Sequence, residues 1–168
     1  MVREMVPDRH ERKNTMATRA IVYFAKSQPY NRSAAPALTV SALLKGHDGY
    51  PEYPGMGSRL FGLLECQHID NADLEVSMTA LASFVKTEIE RVSGSDVQDW
   101  TPAPFAKARE AGADYIYVVS PARTDTTKLH LKIYEVGQKI TRIYSGRLDS
   151  FYSVRNERKA VERDRVAA

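Results

Sequence analysis

Cysteine is nearly absent from this chain. Its single thiol, Cys66, allows no disulfide within the molecule, which fits a reducing cytoplasm. Long apolar runs are missing too. None approaches the roughly 20 residues needed to cross a bilayer, and the charged segment Met1 to Thr15 has no apolar centre of the kind a secretory signal carries. Several catalytic signatures are also lacking: no Gly-x-Ser-x-Gly elbow, no His-Glu-x-x-His, no Cys-x-x-Cys and no histidine-rich tract. These absences exclude an α/β-hydrolase nucleophile and the common zinc motifs.

The chain has little excess of one charge. Its formal net charge is +3 over 168 residues. Residues 1–15 carry +1 of this and residues 155–168 carry +2, so residues 16–154 balance to zero. A nucleic-acid footprint needs a basic face on the folded body, and the linear sequence offers none. What remains is an ordinary soluble composition, 43% hydrophobic and 27% charged. That length suits one domain with a real core.

The densest feature is Lys45-Gly46-His47-Asp48-Gly49-Tyr50-Pro51-Glu52-Tyr53-Pro54-Gly55, with three glycines, two prolines and two tyrosines in eleven residues. It follows the apolar run Leu38 to Leu44 and precedes Met56 to Leu64, so it reads as a rigid strand-to-helix connection.

Around it the periodicities predict a sequence of elements. Ala20-Ile21-Val22-Tyr23-Phe24-Ala25 reads as a strand and Ser27 to Pro36 as a loop. Leu38 to Leu44 reads as a second strand, antiparallel to the first because the connection is too short for a helical crossover. Leu60, Phe61, Leu63 and Leu64 predict a helix over Gly57 to His68. Leu74, Met78, Leu81, Val85 and Val92, with Ile89 beside them, predict a longer one from Asp73, stopped at Ser93-Gly94-Ser95. Asp96 to Pro104, with the sole tryptophan Trp100, reads as a loop before a short helix to Ala111. Tyr115 to Val119 is a central-looking strand. Lys128 to Val136 and Lys139 to Ser145 are two further strands, joined by a two-residue type II′ turn at Gly137-Gln138. Gly146 to Val154 adds a short edge strand. Residues 1–15 are expected to be a disordered extension, either upstream of a natural start at Met16 or a genuine flexible tail, and residues 155–168 a frayed tail. The order ββ-αα(α)-βββ indicates an α+β domain over residues 16–154. Its sheet is expected to be antiparallel, with helices on one face.

The start Met16-Ala17-Thr18-Arg19, the strand pair and the motif Asp48-Gly49-Tyr50-Pro51-Glu52 together resemble a family of small uncharacterised bacteriophage and prophage proteins, which typically read His-Trp-Asp-Gly-Tyr at this point. This chain departs from that pattern: Gly46 stands where the family has histidine, and His47 where it has tryptophan. The resemblance implies a phage-associated origin and brings no known activity.

Two readings of the central stretch stay open. On the structural one, Asp48-Gly49 makes a tight turn with Gly49 at positive φ, Tyr50-Pro51 enforces extension, and Tyr50 and Tyr53 seal the core edge. On the functional one, His47, Asp48 and Glu52 form an acid/base or ligand cluster on a scaffolded loop. With no second ligand motif, no metal or cofactor is implied. The sequence points first to a non-enzymatic interaction module in a bacterial cytoplasm, acting on a host or phage protein, with His47, Asp48, Tyr50, Glu52 and Tyr53 as the contact loop. The alternatives are a small-molecule or nucleotide-binding protein or small enzyme using His47, Asp48 and Glu52, and nucleic-acid binding by the tails or by a sheet face bearing Tyr115, Tyr117, Tyr134, Lys132 and Arg142. Of the remaining candidates, Cys66 reads as a buried inert thiol and His68 as a helix-end partner. Gly55-Met56-Gly57-Ser58 could meet a phosphate only weakly, since it lacks a Walker lysine.

Overall fold

The computed structural model describes residues 18–29, 34–65, 67–94 and 96–148. The expected N-terminal extension, the C-terminal tail, Cys66 and the end of the edge strand expected over 146–154 lie outside them. Ten elements run in the order β1 (Ala20–Ala25), α1 (Ala35–Leu38), β2 (Thr39–Lys45), α2 (Met56–Leu64), α3 (Leu74–Ser93), β3 (Val97–Trp100), α4 (Phe105–Glu110), β4 (Tyr115–Pro121), β5 (Leu129–Val136) and β6 (Ile140–Arg147). The strands form one sheet in the order β3-β2-β1-β4-β5-β6. The fold is α+β.

The sheet is mixed where an antiparallel one was expected. β1 and β4 are parallel, with Ala20 opposite Tyr115 and Phe24 opposite Val119, and every other pairing is antiparallel. The cause is the segment Asp96 to Pro104, expected to be a loop. Val97–Trp100 instead adds an edge strand beside β2, and α4 then carries the chain back over β2 and β1 to the far side of β1. Such a return is a crossover, which leaves the next strand parallel. Val-Gln-Asp-Trp is a weak strand sequence; its neighbour supplies the ladder.

The two central strands explain their own composition. β1 and β4 are buried along their whole length, and strands covered on both faces read as continuous apolar runs without alternation. One face carries Val22, Phe24, Tyr117, Val119, Leu131 and Ile133 beneath α2 and α3. The other carries Ile21, Tyr23, Ile116, Val118 and Tyr134 beneath α1, α4 and their loops. Phe105 of α4 packs between Tyr23 and Tyr134, with ring centroids 5.4 and 5.0 Å away. The Tyr23 hydroxyl donates to the Ala103 carbonyl at 2.7 Å, and burial pushes its pKa up to about 12. Helices therefore cover both faces where one was expected: the two longer ones share one face, and the short ones lie on the other, α4 because it carries the crossover from β3 to β4.

Helix α3 follows its sequence signals. Asp73 caps it by accepting from the Val76 N–H at 3.1 Å. Met78, Leu81, Ala82, Val85 and Ile89 form the buried stripe, each large side chain contributing about 1.5–3 kcal/mol by burial. Gly94, at φ 71°, ends the helix. Val92 falls on the same stripe by angle but sits in the last turn and is 62% exposed. The β5–β6 connection also differs from expectation. Three residues, Gly137 to Lys139, separate the paired Val136 and Ile140, and positive φ among the described residues is confined to Asp48, Gly94 and Gly112. The loop is therefore not a type II′ turn.

His130 faces the α4 side of the sheet with its Nδ1 buried and without a hydrogen-bond partner among the described residues. Burial, then the charges of Lys132, Arg123 and Arg142, lower its pKa to about 4. The unfolded chain binds this proton near 6.5, so stability is fully present above that value and is lost as pH falls toward 4. Allowing for solvent screening, the loss is about 1–2 kcal/mol. Urea unfolding between pH 7 and 4 should show this slope, and His130→Leu should flatten it; an unchanged slope in the variant would refute the assignment.

Candidate functional site

The stretch from Lys45 to Gly57 is folded against the ends of β1 and β4 by its own backbone. The Gly49 N–H donates to the Thr18 carbonyl at 2.8 Å. The Gly49 carbonyl accepts from the buried Tyr117 hydroxyl at 2.6 Å. A side chain at Gly49 would place its Cβ 2.7–2.8 Å from the backbone of Arg19 and Ala20, so the glycine is required by close approach. The positive φ expected at Gly49 belongs to Asp48, at 54°, because aspartate tolerates that region and Gly49 is needed for space. Likewise a Cβ at Gly55 would collide with the Tyr50 carbonyl, and one at Gly57 with that of Pro51. The Tyr53–Pro54 peptide is cis.

The same packing occupies the start of α2. The Met56 N–H donates to the Asp48 carbonyl at 2.8 Å and the Gly57 N–H to the Tyr50 carbonyl at 3.3 Å. Those donors are taken by the loop itself, which removes the phosphate reading of Gly55 to Ser58.

The five candidate residues separate into three groups. Asp48, Tyr50 and Glu52 cluster: burial first, then the charge of Asp48 and its hydrogen bond to the phenol, with a contribution from Glu52, raise the Tyr50 pKa. The Tyr50 ring packs against the core. His47 lies beside Asp96, with Nδ1 3.6 Å from Oδ1. Tyr53 stands alone at 81% exposure. His47 thus has a partner outside the expected His47–Asp48–Glu52 cluster, in Asp96.

Asp96 and Lys45 are the residues that sequence reasoning missed. Lys45, at the end of β2, is only 1% exposed and forms an ion pair with Asp96, just before β3. The Asp96 carboxylate also accepts from the Gly46 N–H at 2.9 Å. Burial alone would raise the Asp96 pKa, but the Lys45 hydrogen bond and charge, the Gly46 N–H and His47 outweigh it and hold the carboxyl below its usual range. The only sequence signal was a lysine closing an apolar strand; its partner lies 51 positions away.

The chemistry available here is limited. His47 is exposed, and the Asp96 carboxylate beside it is mostly buried and already engaged by Lys45. Neither the small cavity near His68 and Thr127 nor the groove beside α4 is lined by the loop residues. Among the described residues no group of three His, Cys, Asp or Glu side chains could hold a metal ion, and no helix is long and apolar enough to cross a membrane. The expected aromatic sheet face is dispersed: Tyr115 and Tyr117 point to one side, Tyr134 to the other, and all three are buried. Comparison of the chain with protein-family models, with curated proteins and with solved structures finds no match.

Two stability tests follow from this geometry. Asp96→Ala leaves the Lys45 ammonium buried and unpaired and should cost about 3–5 kcal/mol in urea unfolding. Adding Lys45→Met should restore at least about half of that loss, because the uncompensated charge is gone; no recovery would mean that the pair is not the cause. Tyr117→Phe leaves the Gly49 carbonyl unsatisfied and should cost about 1–3 kcal/mol, with faster amide exchange at Gly49 and Met56 as the local readout.

Proposed function

We propose that this protein is a non-enzymatic interaction module of a bacterial cytoplasm, and that its contact surface is the loop from His47 to Tyr53. The observation that carries the reading is the combination of a backbone held by glycine-only contacts with a tyrosine presented 81% exposed at its tip. A loop ordered before binding avoids the entropy of being ordered by its partner. Tyrosine brings a large contact area at low conformational cost, and tyrosines recur among interface hot spots. The partner class is a host or phage protein, as the resemblance of the Asp48-to-Glu52 motif implies.

Tyr53→Ala and His47→Ala change exposed side chains and should leave thermal stability within about 0.5 kcal/mol. In affinity capture from bacterial lysate, wild type should retain a stoichiometric protein, and Tyr53→Ala should weaken its binding by about 2 kcal/mol or more. Equal capture by wild type and both variants would sink the loop assignment.

A further inference from the structure

We propose that the groove between α4 and the β5–β6 hairpin is a binding site for a small organic phosphate of mononucleotide size. It lies on the sheet face opposite α3, and its volume is about 630 Å³, within the range of small-molecule pockets. Pro104, Phe105 and Ile140 give it an apolar floor, and Arg109, Lys139 and Arg142 stand around it. No residue lining it is acidic. The exposed Pro104 ring, backed by the buried Phe105 and Ile140, suits the apolar side of an organic group, and a ring of cations suits the phosphate attached to it.

The cations are available for such a ligand. Among the described residues none of the three has a carboxylate within 4 Å. The acid of α4, Glu110, is engaged by Lys107 at 3.0 Å. Arg109 is oriented by donating to the Gln138 carbonyl at 3.1 Å, which fixes one end of the guanidinium and leaves its other donors to point elsewhere. Positive charge continues across the sheet from the groove. Burial, then the like charges of Arg142 and Arg123, lower the Lys132 pKa. The linear sequence hid this concentration, since Arg109 comes from α4 and Lys139 and Arg142 from the β5–β6 hairpin, and all three balance against acids elsewhere.

Isothermal titration of the full chain at low salt with AMP tests the site. One saturable site is expected. Lys139→Ala/Arg142→Ala should weaken it by at least about tenfold, and Arg91→Ala, a cation on the opposite face, should change it less than about twofold. Adenosine and inorganic phosphate should each bind at least about tenfold more weakly than AMP, because each carries only half of the recognised chemistry. Absence of saturation at about 5 mM AMP overturns the proposal. So does adenosine or phosphate binding as tightly as AMP, an undiminished double variant, or an equal loss in Arg91→Ala. A single-stranded oligonucleotide that binds where AMP does not would likewise overturn it, in favour of a polymer. Matching thermal melts of the exposed-residue variants establish that any loss is local.

Discussion

The contact on which the rest of the molecule depends is the close approach of Gly49 to the start of β1. There the backbone of the central loop meets that of Thr18 to Ala20 without a side chain between them, and Tyr117 reaches up through the core to hold the Gly49 carbonyl. Three parts of the fold are joined at this point. β1 and β4 lie side by side below it, α2 is launched from it by the bond between Met56 and Asp48, and β2 ends beside it at the buried Lys45. A buried hydroxyl and a buried carbonyl satisfy each other here, and the alternative of leaving either unpaired is costly.

A second polar contact fixes the edge of the sheet. Lys45 and Asp96 bring a charge pair out of water at the junction of β2 and β3, with the Gly46 N–H completing the carboxylate's shell. Buried pairs of this kind contribute little net stability against an apolar alternative. The pair sits where a short strand of weak propensity joins β2, with Lys45 opposite Val97. His47 lies beside the same carboxylate.

Together these contacts make the loop a fixed object with a variable tip. Its backbone cannot move without displacing the sheet, while Tyr53 and His47 remain in solvent. The groove beside α4 has the opposite character, with exposed cations over an apolar floor. It depends on the crossover that carries the chain from β3 to β4. The two surfaces are built by different elements of the one sheet.

Much of the architecture was legible locally. Ala20 to Ala25 and Tyr115 to Val119 announced buried strands because both faces of a central strand must be apolar. Asp73 and Gly94 marked the ends of α3 because caps satisfy the helix's own unpaired groups. The glycines of the central stretch announced tight backbone geometry, though not which residue would take positive φ. What only the tertiary structure decided were relations between distant residues: the parallel pairing of β1 with β4, the edge strand Val97–Trp100, the Lys45–Asp96 pair and the gathering of Arg109, Lys139 and Arg142. Periodicity and caps report how a segment meets its immediate surroundings. Sheet order, ion pairing across 51 positions and a charged groove arise from which segments become neighbours, and the packing of the whole chain sets that.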